Sequence, residues 1–417
     1  MRVLYTLLWW LLLPFMFLYL RWRGRKQPEY RLHWRERLGW SPAPARRPVI
    51  WLHTVSVGET RAAVPLIRAL CERRPDAEIL LTHTTPTGRT AALETLGPSI
   101  VQSYLPYDLP GMVGRFLDRT RPDLALFMET EIWPNLYAVC RQRDVPLFLV
   151  NARLSARSAH GYARIAGLIR PALGALSGIA AQTDADAARL HELGAPVPLV
   201  TGNLKFDVAA PADTNARAEA LRDQFAGRFV FLAASTREGE EALILDTCLE
   251  LGIPGLLLVI VPRHPQRFDE VAGLLDSRGV AYARRSRSEP FDKTTEVFLG
   301  DSMGEMSAYY AAADVAFVGG SLVPLGGQNL IEAADRGCPV LVGPHTWNFL
   351  EATELAIACG AALRVADAEA LARAVKQLHQ EPERRHAMAE AGLRFSRAHQ
   401  GATSKIMALL EPVLAKI

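Results

Sequence analysis

The chain has 417 residues, enough for two α/β domains, and 49% of them are hydrophobic, ample for large cores. Its net charge of +3 is uneven: residues 1–47 hold ten Lys and Arg against two acids, a net of +8, which leaves 37 bases and 42 acids, a net of −5, on the other 370. The globular body therefore lacks the basic groove of a nucleic-acid binder, and five scattered cysteines without a CxxC pair (Cys71, Cys140, Cys248, Cys338, Cys359) argue against a disulfide framework or zinc ribbon and for a reducing compartment.

Val3–Leu20 is uncharged over eighteen residues, close to the roughly 17 that can cross a bilayer. No small-residue cleavage site follows. Arg21, Arg23, Arg25 and Lys26 come next and hold the C-terminal side in the cytoplasm. Residues 1–22 thus read as an uncleaved anchor, spanning or half-buried. Residues 23–48 read as a basic juxtamembrane segment, with Trp34 and Trp40 among its arginines, that ends in the Pro-rich linker Ser41–Pro48.

Strand and helix patterns then alternate. Val49–Thr54 is a strand and Gly58–Glu72 a helix; Glu78–Thr82 is a strand and Thr87–Leu96 a helix. Asp123–Met128, Pro146–Val150, Gly178–Ala181 and Val197–Val200 are further strands, with helices near Pro134–Arg143 and Ser158–Leu176. A polar, Ala/Pro-rich joint over 209–227 precedes a second series: Phe229–Ala234, Gly255–Val261, Val297–Leu299, Asp314–Val318, Pro339–Val342 and Leu363–Val365, with helical patterns between and after them. The alternation predicts two doubly wound, mostly parallel α/β domains, 49–208 and 228–395, with a C-terminal helix over 396–417. Two such domains joined once suggest a GT-B glycosyltransferase architecture with its site in the cleft between them.

Candidate chemistry gathers at strand ends. Glu59, in His53-Thr-Val-Ser-Val-Gly-Glu-Thr60, sits at a strand-to-helix turn where Gly58 leaves room for a bulky group. A helix N-terminus favours its ionised form, which suits a general base or, equally, a Glu that only complements the helix dipole. In Met128-Glu-Thr-Glu-Ile-Trp-Pro-Asn135, one of Glu129 and Glu131 faces the site and the other caps the helix, or both serve as caps. Lys205, in Gly202-Asn-Leu-Lys-Phe-Asp207, is a cation aimed at the site or a solvated lysine. In the second domain Ser235-Thr-Arg-Glu238 caps a helix or meets phosphate, and Arg263 is a candidate phosphate or base contact.

Phe298–Ala334 carries two Gly-rich turns, Gly300-Asp-Ser302 before a helix from Met303 and Gly319-Gly-Ser321 before a helix opened by Gly326-Gly327. Glu305 and Glu332 fall just inside these helices, and the bare N–H groups of each turn suit an anion. There is no HExxH and no Cys/His cluster, so no metal site is expected, and no GxxxxGK[ST] loop. Asp184-Ala-Asp186, after Thr183, reads as a helix cap.

HTVSVGET, METEIWPN, NARLSARS, GNLKFD, AASTREGEE, VPRHPQRF, GDSMGEMSAYYAAADVAFVGGS and GGQNLIEAA occur in this order. As a set they closely resemble the lipid A 3-deoxy-D-manno-octulosonic acid (Kdo) transferase family over nearly the whole chain. The resemblance implies a metal-independent, inverting GT-B enzyme without a cofactor, with CMP-Kdo as donor and a tetraacyl lipid A precursor as acceptor. It implies a single N-terminal anchor in the bacterial inner membrane with the catalytic domains cytoplasmic. Glu59 takes the role of general base; Glu129 and Lys205 help stabilise the transition state. The CMP contacts fall on Pro262 and Arg263, on Met303, Gly304 and Glu305, and on Asn329, Leu330, Ile331 and Glu332. Gln328-Asn329-Leu330 stands where the family often has His-Asn-Pro. Other enzymes of this architecture acting on UDP-sugars, or a non-catalytic membrane-anchored sugar-nucleotide binder, are the alternatives.

Overall fold

An apolar run bounded by turn residues is what a parallel strand buried on both faces requires, and most strands here have that character. The computed structural model describes residues 1–287 and 291–417. Its first unit is Met1–Ala209 with His399–Ile417, and its second is Ala210–Ala398.

In the first unit β1 (Val49–Thr54), β2 (Glu78–His83), β3 (Val101–Tyr104), β4 (Leu124–Met128), β5 (Leu147–Ala152), β6 (Gly178–Ala181) and β7 (Leu199–Val200) form one sheet in the order β3-β2-β1-β4-β5-β6-β7. All its pairings are parallel. Trp51 and Phe127 pack on one face with Tyr137, while Leu52 and Leu126 pack on the other with Leu66 and Leu70. The second unit repeats the plan with β8 (Phe229–Thr236), β9 (Leu256–Pro262), β10 (Tyr282–Arg284), β11 (Val297–Leu299), β12 (Val315–Val318), β13 (Val340–Val342) and β14 (Ala362–Arg364), in the order β10-β11-β9-β8-β12-β13-β14. The order reverses between β1 and β4 in one sheet and between β8 and β12 in the other. At such a reversal neighbouring crossovers leave on opposite faces, and a crevice opens at the carboxyl ends of the strands.

Two edge strands, β3 and β10, and the helix Pro110–Thr120 went unseen in the sequence, and the stretch 209–227 expected as a joint holds the helix Thr214–Phe225, which buries Ala218, Leu221 and Phe225. An edge strand needs no continuous apolar run, and Val101-Gln-Ser-Tyr104 and Tyr282-Ala-Arg284 have none. The helix starts with Pro110-Gly111, and what shapes it is the packing of Val113, Phe116 and Leu117 at helical spacing.

The basic segment, as far as Ser41 at the start of the expected linker, packs against the first unit. Glu36 is buried and accepts from Arg89 Nη1 (2.7 Å) and from the Tyr104 N–H on β3 (2.8 Å). Arg37, also buried, donates to the Thr84 carbonyl (2.9 Å), and its guanidinium lies 4.0 Å from the centre of the Tyr104 ring. The Ser41 and Ser103 hydroxyls are 2.7 Å apart. The basic segment thus covers the β3 edge, whose unpaired backbone groups would otherwise be exposed.

The chain's last helix, Ala402–Leu414, belongs to the first unit. Ala402, Ile406, Leu410 and Leu414 recur every four residues and enter the core beside Leu66 and Leu70. Asp207 caps it by accepting the Gly401 and Thr403 N–H groups at 2.7 and 2.6 Å.

Candidate active site

In the first unit the strand-order reversal puts the end of β1 beside the end of β4, and Glu59 and Glu129 follow those two ends. Ser56 is the N-cap of the helix Val57–Arg73 and accepts the Glu59 N–H. The Glu59 carboxylate reaches back to the Val55 N–H (2.9 Å) and to Ser56 Oγ (3.3 Å), the reciprocal arrangement of a capping box. Its location meets the expectation; its electrostatics do not. Burial and the neighbouring Glu129 charge push the carboxyl up to about 7, against the pull of the Val55 N–H. Desolvation and a like charge outweigh the helix terminus here. A base with that affinity accepts a proton and releases it near neutral pH.

Glu129 has φ of 55°, a left-handed turn that lifts it off the end of β4. Its two oxygens face Lys205 Nζ at 3.5 Å and Arg153 Nε at 3.7 Å. Glu131 points elsewhere: it accepts from Trp133 Nε1 at 2.9 Å and lies 3.6 Å from His53 Nε2. Neither caps the following helix, Pro134–Gln142. The buried Asp108 does so from another loop, accepting the Asn135 and Leu136 N–H groups at 3.1 and 2.7 Å. Lys205 lies in a short 3-10 turn that is fixed at both sides. Asn203 Oδ1 accepts the Lys205 N–H, and Asn151 Oδ1 on β5 accepts the Leu204 N–H, both at 3.0 Å. Glu59, Glu129 and Lys205 are therefore brought together, with Arg153 as a further cation. The sequence offered Arg153 only as one letter of a longer motif; its signal was its place two residues past Asn151 at the end of a strand. Asp184 and Asp186 were expected to cap their helix, but Thr183 is the N-cap and accepts the Asp186 N–H, while the Asp186 carboxylate accepts the Leu154 N–H at 2.7 Å.

Gly58 is exposed in the first turn of its helix, and a Cβ built there would meet only Ser56 Oγ, at 3.9 Å. The folded protein thus tolerates a methyl at this point. Gly58→Ala is expected to leave the melting temperature unchanged or slightly raised, yet to lower turnover by about 10²-fold, because a ~1 Å displacement of a bound group costs that much. Melting curves and steady-state rates check this, and full activity in Gly58→Ala would show that nothing approaches the helix there.

In the second unit the reversal lies between β8 and β12. The turn Gly319-Gly320-Ser321 after β12 is not the bare anion hole expected of it. The buried Glu240 carboxylate fills it, accepting the N–H groups of Gly320 (2.6 Å), Ser321 (3.1 Å), Leu322 (3.0 Å) and Arg237 (3.0 Å). Gly319 is required there, since a Cβ would lie 2.5 Å from the Ser235 carbonyl. Gly326 and Gly327 do not open a helix either; with φ of 87° and 75° they shape a loop, and the helix begins at Ile331. Asn329 Oδ1 accepts the Ile331 N–H (3.1 Å), and Glu332, in the first turn, accepts from Ser307 Oγ (3.2 Å). The side chains of Leu330 and Ile331 are buried, so a ligand would meet their backbone.

Pro262 ends β9, and Arg263 follows it with Nε donating to Gln328 Oε1 at 3.2 Å. Burial and the charges of Arg237, Arg263 and Arg267 hold the His264 imidazole below its ordinary value, so this corner is electropositive. After β11, Met303 is exposed, Gly304 has φ of 82°, and the helix starts at Met306, three residues later than its pattern suggested. Glu305 is its N-cap and not an inner residue. Arg285 grips the Glu305 carboxylate with both Nε (3.1 Å) and Nη2 (2.8 Å), Ser302 Oγ donates to it, and Arg217 Nη1 lies at 3.4 Å. These contacts, the Arg285 bonds foremost, hold the carboxyl below the usual range, which makes Glu305 a fixed anion and a poor proton carrier. Each of these second-unit candidates ends or follows a strand of this sheet, β9, β11 or β12. Among the described residues no group of three His, Cys, Asp or Glu side chains is set to hold a metal ion, and all five cysteines are free.

Two parallel, doubly wound units with polar groups collected at each reversal, and a match of residues 282–395 to the family model for glycosyl transferases group 1, make the chain a glycosyltransferase of the GT-B type. The solved structure of UDP-GlcNAc 2-epimerase from Neisseria meningitidis bound to UDP-GlcNAc has the same fold, with a TM-score of 0.59 over 89% of this chain and 100% of that one, at 18% identity. Residues 32–208 match the model for 3-deoxy-D-manno-octulosonic-acid transferase (kdotransferase). The chain is 49% identical over 383 residues to the 3-deoxy-D-manno-octulosonic acid transferase of Bordetella pertussis, covering 89% of this chain and 88% of that protein. It is 38% identical over 423 residues to the transferase of the same description in Haemophilus influenzae, covering 100% and 99%. The chain belongs to the Kdo transferase family.

Proposed function

We propose that the chain moves Kdo from CMP-Kdo to a tetraacyl lipid A precursor, with inversion at the anomeric carbon and without a metal. The observation that carries the reading is Glu59, a half-buried carboxylate poised near pH 7 beside Glu129, Lys205 and Arg153. Glu59 takes the proton of a primary hydroxyl on the glucosamine disaccharide as its oxygen attacks the anomeric carbon, and CMP departs from the opposite face. Lys205 and Arg153, balanced by Glu129, meet negative charge on the reacting sugar and its carboxylate. On the donor side Arg263, steadied by Gln328, faces the single phosphate of CMP. Met303, Gly304, Glu305, Asn329 and Glu332, with the backbone of Leu330 and Ile331, hold the nucleoside and the sugar.

The acceptor is a membrane lipid, and the long apolar helix Arg2–Arg23 with its basic flank fits attachment to the cytoplasmic face of a bacterial inner membrane. Arg21, Arg25 and Lys26 are exposed, and each such charge near an anionic surface contributes about 1 kcal/mol. Changing all three to Gln should weaken binding to anionic vesicles by about 10²-fold, read by co-sedimentation; unchanged binding would remove the basic flank from the attachment. The reaction is tested by incubating the purified full-length protein with CMP-Kdo and the tetraacyl precursor and weighing the lipid product by mass spectrometry. A gain of one or more Kdo units with release of CMP is expected. No gain in mass, or transfer from a UDP-sugar in its place, would overturn the reading.

A further inference from the structure

The first helix, α1 (Arg2–Arg23), is apolar all round, the usual mark of a span surrounded by lipid. Its packing is different. Tyr5, Thr6, Trp9, Leu13, Met16, Phe17 and Leu20 follow i, i+3 and i+4 spacing and face the rest of the first unit over an arc of about 120° at 100° per residue. The docking is polar at one end and aromatic along its length. Tyr5 Oη donates to the buried Asp108 (2.9 Å), and Thr6 Oγ1 lies 3.0 Å from Asn135 Nδ2. The Trp9 ring centre is 5.9 Å from that of Tyr107, and the Phe17 ring stands edge-on to Tyr107 at 6.1 Å. Leu20, near the other end, is 3% exposed. Arg2 also stays on the domain, where it lines a cavity of about 390 Å³ with Arg141, Gly167 and Leu168. From Tyr5 to Leu20 the docked stripe runs about 22 Å. The opposite arc carries Val3, Leu4, Leu7, Leu8, Trp10, Leu11, Phe15, Leu18 and Trp22, all more than half exposed.

A helix held to a soluble domain near both ends has two ways to cross a bilayer, and both conflict with these contacts. Peeling away would uncover Tyr107, Leu109 and Met112 and remove the Tyr5 partner of a buried carboxylate. Crossing while docked would carry Asp108, Asn135 and Arg141 into hydrocarbon, where unsatisfied polar groups are costly. Lying flat conflicts with neither: one face stays on the protein, the other enters the lipid, and Arg21, Arg25 and Lys26 meet the headgroups.

We infer that α1 is a monotopic attachment, lying in the plane of one leaflet with its Leu4–Leu11–Leu18 face in the lipid, so that the N-terminus remains on the same side as the catalytic units. The inference rests on the membrane attachment proposed above and specifies its form. Leu4, Leu11 and Leu18 lie seven residues apart on the outward arc, and spin labels placed there touch none of the docking contacts. The test uses the full-length protein with Cys71→Ser and Cys359→Ser, carrying Leu4→Cys, Leu11→Cys or Leu18→Cys singly, bound to vesicles containing anionic phospholipid. Paramagnetic depth measurements should place all three labels alike, about 5–10 Å into the boundary region. A crossing helix would put the Leu11→Cys label deepest, near the midplane about 15 Å in, with the other two shallow, and that profile would overturn the inference alone. Failure of the protein to bind vesicles would overturn the attachment and this inference together. An N-terminal epitope tag offers an independent readout: in sealed inverted membrane vesicles it should be digested by added protease to the same extent as a C-terminal tag, and protection of the N-terminal tag alone would contradict the flat arrangement.

Discussion

Glu59→Gln is expected to lower the rate of Kdo transfer by roughly 10²–10⁴-fold, the range that a positioned base supplies, while leaving CMP binding and the fold intact. The amide keeps an oxygen for the Val55 N–H but cannot take the acceptor proton. Wild-type transfer should rise with pH and level off above about 7, because the base acts only when ionised and its carboxyl is pushed up to that value. The residual rate of the variant should lack this rise. Stability supplies a second readout of opposite sign. A carboxyl whose affinity for protons is higher folded than unfolded is favoured in its neutral form by folding. Its contribution is complete below the ordinary value of 4.5 and is lost as pH rises to about 7. The variant has no charge to lose, so near pH 8 it should be more stable than the wild type, on the order of 1–3 kcal/mol, and this advantage should vanish near pH 4. A variant that turns over at a near-normal rate would remove Glu59 as the base. One that is inactive but also destabilised at pH 8 would mean that the carboxylate serves the fold.

Glu240→Ala should carry the largest cost in stability, about 3–5 kcal/mol in the second unit. Four backbone N–H groups converge on this one buried carboxylate, and a buried donor left unpaired costs about 1–3 kcal/mol, reduced here by whatever water enters the gap. The same bonds hold the Gly319–Leu322 turn in shape. Gly319 and Gly320 in turn accept the Gln328 and Gly327 N–H groups at 3.1 and 2.7 Å, so the loop bearing Gln328 and Asn329 should loosen as well. Donor affinity should therefore fall alongside stability. Glu240→Gln, which keeps an acceptor of the same length, should cost less on both counts. Chemical denaturation followed by fluorescence, with CMP binding measured by calorimetry, tests the pair. The two units need not unfold together, so the loss should appear in one of two transitions. A loss under about 1 kcal/mol in Glu240→Ala would show that water serves these N–H groups as well as the carboxylate does.

Glu240 also shows where sequence reading stops. In Glu238-Gly-Glu-Glu241 nothing marks one glutamate as the plug of a turn eighty residues onward. The interior strands were legible because burial on both faces demands an unbroken apolar run, as in Val49-Ile-Trp-Leu52 of β1 and in Leu256–Pro262. The edge strands β3 and β10 were not, because an edge is under no such demand. At the site, the ordered motifs drew attention to Glu59, Glu129 and Lys205, and the fold brings those three together. The state of Glu59 was misjudged because the local signal, a helix N-terminus, favours the ion, whereas the stronger influences are burial and a carboxylate seventy residues away. Glu305 was expected just inside its helix and is the N-cap in its place, and its pairing with Arg285 joins residues on different turns, which no local pattern encodes.

The last helix has a consequence for synthesis. The first unit's core beside Leu66 and Leu70 is closed by Ile406, Leu410 and Leu414, which leave the ribosome only after the whole second unit, Ala210–Ala398. The domain that begins the chain is therefore finished only after the second unit has been made. During elongation it waits with an apolar trough uncovered, a surface for chaperones to hold and a liability if translation stalls. A premature stop at residue 399 would spare the second unit in full and still disable the enzyme, through the half of the molecule that was translated first.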